Sequence, residues 1–342
     1  MKRPIYILSF LVVLIISMSS CEKMFMKPNP ETDNLSIYDE YWKLLDEKYA
    51  MWDNPDKKLD KEALHSYTRS LVNESLSQDS LFGVFNYIIQ QLKDGHSWID
   101  GGKNDNFSSM YDIELIGDRN YDEDLIDSLY LKNDYKTLGK RMKYKLLENG
   151  KVGYIEIRSW TDVYTAEEMD DVLNYFANTE GLIFDVRENG GGDPFMSTFV
   201  ARHFADKEYY LGEERFKTGP GENDFSIQKL YNTPTSGVIY TKPVMVLTNR
   251  LCFSATTTFV YTLDPLPNVT FIGARTGGGS GSSADDYLAN GWHWQMSTSE
   301  FIDRNGLHLD NGFDPDIAVA LDTNDRSQDE IIERAIHEIT GI

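Results

Sequence analysis

The sequence predicts an α/β domain with a largely parallel sheet, preceded by a small helical unit. From residue 151 onward, short apolar runs alternate with segments of helical periodicity, which is the pattern of strands and helices in a parallel sheet. Residues 35–100 show helical periodicity alone. Hydrophobic residues make up 41% and charged residues 26% of the 342 residues, as in ordinary globular proteins of one large or two modest domains.

The first 20 residues are predicted to be a targeting signal rather than part of the fold. MKRP supplies two positive charges, and the apolar stretch IYILSFLVVLIISM is too short and too early for a stable membrane span. SMSSC ends in Cys21, a pattern that resembles a bacterial lipoprotein signal, in which the cysteine becomes the acylated N-terminus. An ordinary secretory signal is the alternative. We expect a lipid anchor at Cys21 and a place in the bacterial cell envelope, on the outer membrane and facing the periplasm or the cell surface.

Residues 21–34 are polar and contain proline, which is typical of a tether. Residues 35–100 are expected to form three packed helices, because apolar side chains recur there at helical spacing. Helix N-caps are predicted at Asp33, Asp60 and Ser80. The recurring apolar residues are Leu35, Tyr38, Trp42, Leu45, Leu64, Tyr67, Leu71, Leu81, Val84, Ile88 and Leu92.

The segment 101–150 is predicted to connect the two units, with one strand that ends at the Asn-Gly turn of residues 149–150. The α/β core follows over residues 151–342. Its predicted strands are VGYIEI, GLIFDV, PVMVLT and VTFIGA, and its predicted helices are TAEEMDDVLNYFANT, PFMSTFVARHFA, FSATTTFVYTL and SQDEIIERAIHEI.

Charge, histidines and cysteines exclude several classes of function. A formal net charge of −22, without any stretch rich in Lys and Arg, argues against a nucleic-acid partner. The six histidines share no metal-ligand spacing, so we expect no metal site. If Cys21 carries lipid, Cys252 is left without a disulfide partner. We expect Cys252 in the core as a small apolar residue, not as a nucleophile.

Four polar or glycine-rich stretches lie at or beside the ends of predicted strands, where ligands gather in α/β sheets. Taken singly, each has a structural explanation. Ser254 is placed to cap a helix, His96 resembles any surface or core histidine, and the glycines at 190–192 form a loop. Asp185 and Arg187 are predicted to be a structural pair. The four stretches are KDGHSW at 93–98, DVRENGGGDP at 185–194, NRLCFSA at 249–255 and GARTGGGSGSS at 273–283.

Together these stretches resemble the tail-specific, or C-terminal-processing, serine proteases and the related tricorn core. Five motifs occur in the order found in that family, and the D-x-R-x-N-x-G-G motif is the most specific of them. The matching residues are Asp94-Gly95-His96; Asp185, Arg187, Asn189, Gly191 and Gly192; Ser254-Ala255; Gly273, Thr276 and Gly278; and Gly312-Phe313-Asp314-Pro315-Asp316.

The resemblance implies a crotonase/ClpP-like core and a serine peptidase that needs no metal or organic cofactor. Ser254 would attack the carbonyl of a peptide or protein substrate, and His96 would act as the general base. The backbone N–H of Ala255, with that of Gly191 or Gly192, would hold the oxyanion.

Asp310 is the candidate to orient His96, because the acidic residue of the family lies just before its G-V-x-P-D motif. The sequence also departs from the family. Thr257 stands where the family has glutamate, and the segment 101–150 is too short for a PDZ domain. No lysine follows Ser254, so the downstream lysine base of some members is absent. The nearest upstream lysines, neither of which we expect to act as the base, are Lys93 and Lys242.

Two other functions remain open. A catalytically inactive peptide-binding lipoprotein on the same fold is favoured by the missing glutamate at Thr257, whereas the intact Ser254, His96 and glycine loop favour an enzyme. A crotonase-type enzyme acting on thioesters would use the same core, but an exported protein rarely meets such cofactors.

Overall fold

The computed structural model describes residues 31–101, 108–110 and 120–341. The predicted signal at residues 1–20 and Cys21 lie outside the described residues. Within the described ranges no helix is long and apolar enough to cross a membrane. The helices are α1 (Asn34–Lys48), α2 (Lys61–Leu71), α3 (Gln78–Leu92), α4 (Glu123–Ile126), α5 (Ala166–Tyr175), α6 (Pro194–Ala201), α7 (Ala255–Leu263) and α8 (Glu330–Thr340). The strands are β1 (Trp98–Asp100), β2 (Ser108–Met110), β3 (Lys136–Leu138), β4 (Met142–Leu147), β5 (Val152–Ile157), β6 (Gly181–Asp185), β7 (Tyr209–Lys217), β8 (Phe225–Asn232), β9 (Val244–Thr248), β10 (Val269–Gly273), β11 (Ser283–Tyr287), β12 (His293–Ser297), β13 (Ser299–Asp303) and β14 (Ile317–Ala318).

A central sheet of seven strands in the order β14-β10-β9-β6-β5-β4-β3 organises the core. The pairs from β14 to β5 are parallel, whereas β4 and β3 extend the sheet in antiparallel fashion. β5, β6 and β9 are buried along their whole length, which explains their continuous apolar runs. Helices α5, α6 and α7 cover one face of the sheet, and α8 covers the other. The predicted α/β class is confirmed.

The N-terminal helices α1, α2 and α3 form a second apolar core. Asp33 and Asp60 cap α1 and α2 as predicted, because their carboxylates accept backbone N–H groups of the first turn. The predicted cap at Ser80 is wrong, since the Ser77 hydroxyl accepts the Ser80 N–H and α3 begins at Gln78. This unit packs against the remainder of the chain through the buried residues Leu288, Trp292, Trp294 and Met296.

The segment 101–150 contains more structure than the single strand predicted there. β3 pairs with β4, and β4 pairs with β5, so the central sheet begins before residue 151. β3 has only three residues, none of them fully buried, and therefore gives little alternation to detect. The predicted Asn-Gly turn follows β4, with Asn149 at φ 54°.

Two smaller antiparallel sheets complete the fold. One has the order β11-β12-β1-β2, and the other has the order β13-β7-β8. The loops that leave the carboxyl ends of β6 and β9 lie side by side, because these strands are neighbours and parallel. That edge of the sheet is where ligands bind in α/β folds.

Candidate active site

Ser254 lies in the turn between β9 and α7. Its φ is 57°, in the left-handed region, which costs a residue other than glycine of order 1–3 kcal/mol. Its N–H donates to the Gly278 carbonyl over 3.0 Å, and its own carbonyl accepts the Thr258 N–H over 3.1 Å. Ser254 occupies the N-cap position of α7, as predicted, but its hydroxyl forms no cap hydrogen bond. The strained turn instead presents the hydroxyl outside the helix, as in a nucleophile elbow.

The structure brings His96 to Ser254 across 158 positions of sequence. The His96 Nε2 atom lies 3.0 Å from the Ser254 Oγ atom, which is hydrogen-bond distance. The backbone of His96 is fixed on both sides, because its N–H donates to Asp94 Oδ1 over 2.9 Å and its carbonyl accepts Gln295 Nε2 over 2.8 Å. The ring also packs against Phe253, with 4.9 Å between ring centroids. The half-buried imidazole is therefore positioned to take the hydroxyl proton.

A cluster of buried charges acts on His96. Lys57 Nζ lies 2.6 Å from Asp310 Oδ2, and both side chains are almost fully buried. Burial raises the pKa of Asp310 even though the Lys57 ammonium opposes that effect. Burial also acts to raise the pKa of Asp94, but Lys57, His96 and a hydrogen bond from Ser97 hold that pKa below its usual range. Asp94 is therefore the ionised carboxylate nearest in sequence to His96.

The structure places the predicted acid Asp310 beside His96 without a hydrogen bond between them. Asp310 and His96 interact electrostatically, so the two side chains are close. The His96 Nδ1 and Asp310 Oδ1 atoms are both buried, and neither has a hydrogen-bond partner among the described residues. Asp310 also fixes the loop next to Ser254, because its carbonyl accepts the Gly279 N–H over 3.1 Å.

Lys57 is a part of the site that the sequence analysis did not identify. It precedes α2 in the stretch NPDKK, where nothing distinguishes it from the exposed Lys58. Besides its ion pair, its ammonium donates to the carbonyls of Leu92 and Lys93 over 3.3 and 2.8 Å. These carbonyls end α3, so Lys57 ties the turn that carries His96 to the helical unit.

The glycine loop after β6 lies against Ser254. The Gly191 N–H donates to Asn189 Oδ1 over 3.0 Å, so this N–H is not available to an oxyanion. In the described part of the chain, neither the Gly192 N–H nor the Ala255 N–H has an acceptor. Gly192, Ala255, Ser254 and His96 line one cleft, so the two free N–H donors face the same space as the Ser254–His96 pair. Of the two glycines considered, Gly192 is therefore the better oxyanion donor.

Arg187 anchors this loop from beneath. Its guanidinium lies 2.7 Å from Asp185 and 3.0 Å from Asp329, and all three side chains are fully buried. The Asn189 side chain donates to the Ile157 carbonyl over 3.0 Å. The Asp185–Arg187 pair is thus internal to the fold, and a buried, fully paired cluster of this kind fixes geometry instead of reacting.

Four other residues considered in the sequence analysis have no part in the contact between Ser254 and His96. Cys252 is fully buried, and burial raises the pKa of its thiol to about 12. Thr257 donates to the Gly278 carbonyl over 2.6 Å, so it stabilises the loop below Ser254. Lys242 donates to the carbonyls of residues 177 and 179, at the start of β9 and far from Ser254. Lys93 is exposed and lies in the left-handed turn that ends α3.

A cleft of about 970 Å³ opens in front of Ser254. Residues of α6, of α7 and of the β13-β7-β8 sheet line this cleft. Clefts of this size, at the upper end of the usual range of roughly 300–1,000 Å³, accommodate ligands larger than a single amino acid. In residues 31–101, 108–110 and 120–341, no three His, Cys, Asp or Glu side chains are grouped as metal ligands would be.

The chain is similar to known peptidases. A model of Peptidase family S41 matches residues 151–319. A candidate peptidase from Parabacteroides merdae ATCC 43184 is 33% identical, with a TM-score of 0.84 over 91% of this chain and 98% of that chain. Mature CPAF is 13% identical, with a TM-score of 0.65 over 90% of this chain and 96% of that one. The photosystem II D1 C-terminal processing protease is 14% identical, with a TM-score of 0.54 over 86% and 95%. No curated protein matches the sequence significantly.

The fold, the ordered motifs and these likenesses define a protein of the peptidase class. The chain belongs to Peptidase family S41, the tail-specific protease family. The resemblance drawn from the five sequence motifs is confirmed.

Proposed function

We propose that this protein is a serine endopeptidase in which Ser254 is the nucleophile and His96 is the general base. The observation that carries the proposal is the 3.0 Å contact between His96 Nε2 and Ser254 Oγ at a strained strand-to-helix turn. A serine hydroxyl gains its nucleophilicity from such a base. The strain at Ser254 is a further argument, because the fold maintains an unfavourable backbone geometry where it presents this hydroxyl.

The reaction follows from the positions of these groups. Ser254 Oγ attacks the peptide carbonyl while His96 Nε2 accepts the hydroxyl proton. The N–H groups of Gly192 and Ala255 stabilise the negative charge that develops on the carbonyl oxygen. His96 then gives its proton to the leaving amine, and the acyl group stays on Ser254 as an ester. Water, deprotonated by His96, attacks that ester and releases the acid product and the free serine.

The buried charges beside His96 support the base. A negative carboxylate close to the ring favours the imidazolium that forms when the hydroxyl proton is transferred. Asp94 supplies such a charge and also fixes the His96 backbone. Asp310, paired with Lys57, is the second acid on this side of the ring, and it acts on His96 through its field because no hydrogen bond joins them.

We further propose that the protein is an exported lipoprotein anchored through Cys21, in the bacterial envelope. The support is the sequence of residues 1–21, in which a basic start and a short apolar stretch precede the cysteine. A lipid anchor would keep the cleft close to a membrane surface without any membrane-spanning helix.

Labelling with a fluorophosphonate probe tests the catalytic proposal directly. The wild-type protein should be labelled and should cleave peptides, and Ser254→Ala should lose both. Ser236→Ala removes an exposed serine outside the cleft and should behave as wild type. A wild-type protein that binds peptide but neither reacts with the probe nor cleaves peptide would establish the alternative, a catalytically inactive binding protein.

A further inference from the structure

One carboxyl group in the cleft has no role in the mechanism. Glu214 lies on β7, on the face of the β13-β7-β8 sheet that lines the cleft. Its cross-strand neighbours are Phe301 on β13 and Gln228 on β8, which line the same cleft. Only 8% of the residue is exposed. A carboxyl group so far removed from water needs partners, because burying an unpaired charge is costly.

The partners of Glu214 are neutral hydrogen-bond donors. The hydroxyls of Ser299 and Ser282 both donate to Oε1, over 2.6 and 3.1 Å. The Ser282 backbone N–H also interacts with the carboxyl group, so the hydrogen-bond donors around Glu214 in the described residues are all neutral. Burial raises the pKa of the Glu214 carboxyl above its ordinary value, and the two serines only partly oppose that effect. No positively charged group of the described residues therefore balances the Glu214 carboxylate.

The described residues themselves do not supply such a positive charge. No described residue forms an ion pair with Glu214. Arg202 and Lys229 also line the cleft, but both are exposed and neither contributes to the electrostatics of the Glu214 carboxyl. A cation that reaches Glu214 must therefore come from a ligand in the cleft.

The surroundings of Glu214 describe the shape of that ligand. The cleft around it is largely apolar and aromatic, so it would hold an unbranched hydrocarbon stem, and an arginine head would also stack on aromatic faces. A hydrocarbon stem that ends in a cation is the side chain of lysine or arginine. The apolar lining residues of this part of the cleft are Leu211, Phe216, Leu230, Tyr261 and Phe301.

Glu214 also lies near Ser254, because one short segment, residues 278–282, contacts both residues. Ser282, which donates to Glu214, lies four residues after Gly278, which accepts the Ser254 N–H. Four residues span at most about 14 Å. A substrate residue within a few positions of the scissile bond can therefore reach the carboxyl group.

We propose that Glu214 is a specificity-determining residue that selects peptides with a lysine or arginine side chain close to the scissile bond. This inference rests on the proposed peptidase function. The alternative use of the same group is a neutral, protonated Glu214 that donates a hydrogen bond to a polar, uncharged side chain such as glutamine.

Paired peptides test the inference. At each position around the cleaved bond, one peptide carries lysine and its partner carries norleucine, which has the same stem without the ammonium. The wild-type protein should show a higher kcat/KM for lysine at one position. In Glu214→Gln, which keeps the hydrogen bonds from the two serines, the ratio of the two kcat/KM values should fall about 10- to 100-fold, the scale of a lost charged hydrogen bond. Glu213→Gln removes the adjacent carboxylate, which does not line the cleft, and should keep the wild-type ratio.

A second measurement does not depend on turnover. Butylguanidinium should slow fluorophosphonate labelling of the wild-type protein and of Glu213→Gln, and it should protect Glu214→Gln much less. Three results would overturn the inference: a wild-type protein without preference for lysine, a preference that survives in Glu214→Gln, or a preference for glutamine instead. A wild-type protein that the probe does not label at all would refute the proposed function, so the two failures are distinguishable.

Discussion

Gly191 and Ser254 are packed so closely that a Cβ atom on Gly191 would lie 2.8 Å from the Cβ atom of Ser254 and 3.0 Å from the Phe253 carbonyl oxygen. Gly191 also has a φ of 115°, which side chains other than hydrogen rarely permit. Glycine is therefore required at position 191, because any side chain there would displace Ser254.

The first prediction follows from this contact. Gly191→Ala should lower kcat by about 100-fold or more, because a shift of about 1 Å in a reacting group has an effect of that order. Gly190→Ala is the matched control, since Gly190 is exposed and nothing lies within 4 Å of an added Cβ atom. Steady-state kinetics on both variants, with circular dichroism to verify folding, provide the measurement. Equal activity in the two variants would show that the loop does not constrain Ser254.

The second prediction concerns the buried ion pair. Lys57→Met removes the partner of Asp310 and leaves a buried carboxylate unpaired, so the free energy of unfolding should fall by about 3–5 kcal/mol. Lys58→Met alters the next residue, which is exposed, and should change it by less than about 0.5 kcal/mol. Urea denaturation of the three proteins measures the difference. If Lys57→Met is as stable as wild type, the buried contacts of Lys57 do not stabilise the fold.

The third prediction uses the raised pKa of Glu214. Only the ionised carboxylate attracts an ammonium group, and burial raises the pKa at which Glu214 ionises. The lysine-to-norleucine ratio of kcat/KM should therefore increase as the pH rises from about 5 to 8. The ratio cancels the titration of the shared base, because both peptides are cleaved by the same Ser254 and His96. A ratio that is constant with pH in the wild-type protein, as expected for Glu214→Gln, would argue against an ionised Glu214.

The sequence was sufficient to predict the fold class and to single out Ser254 and His96, which the structure places 3.0 Å apart. Buried parallel strands such as β5, β6 and β9 are recognisable in the sequence as apolar runs. Ser254 and His96 lie in short motifs whose order along the chain is distinctive. Periodicity and motif spacing are local properties of the sequence, so they can be recognised without knowledge of tertiary contacts.

The residues that the sequence did not reveal depend on tertiary contacts. In the sequence, nothing distinguishes Lys57 from Lys58 or Glu214 from Glu213. The fold buries Lys57 and Glu214 but not their neighbours. The sequence predicts the Gly191 N–H as one possible oxyanion donor, and only the structure shows that the Asn189 side chain already accepts this N–H. Burial and hydrogen-bond competition are set by distant parts of the chain, and no local pattern encodes them.

The fourth prediction tests the proposed anchor. Cys21→Ser should release the protein into the soluble fraction or leave it with an uncleaved signal, because the hydroxyl cannot be converted into the diacylated cysteine that stable anchoring requires. Cys252→Ser is the control, since this thiol is buried in the core and outside the proposed anchor. Membrane fractionation and metabolic labelling with a fatty acid measure the outcome. Fatty-acid incorporation that persists in Cys21→Ser would contradict the lipoprotein proposal.

The last prediction identifies the base. His96→Ala should lower kcat by about 1,000-fold or more, because it removes the group 3.0 Å from Ser254 Oγ that accepts the hydroxyl proton. Lys93→Ala, three residues earlier, removes an exposed ammonium and should retain most of the activity. For the wild-type protein, kcat/KM should be lost at acidic pH, since a histidine accepts a proton only in its neutral form. A lysine base would behave differently, with activity that appears only above about pH 8 unless the ammonium is heavily desolvated. In the described structure Lys242 bonds carbonyls at the far end of β9, so that behaviour is not expected. Wild-type rates in His96→Ala, or an alkaline activity limb abolished by Lys93→Ala, would rule out the Ser254–His96 mechanism.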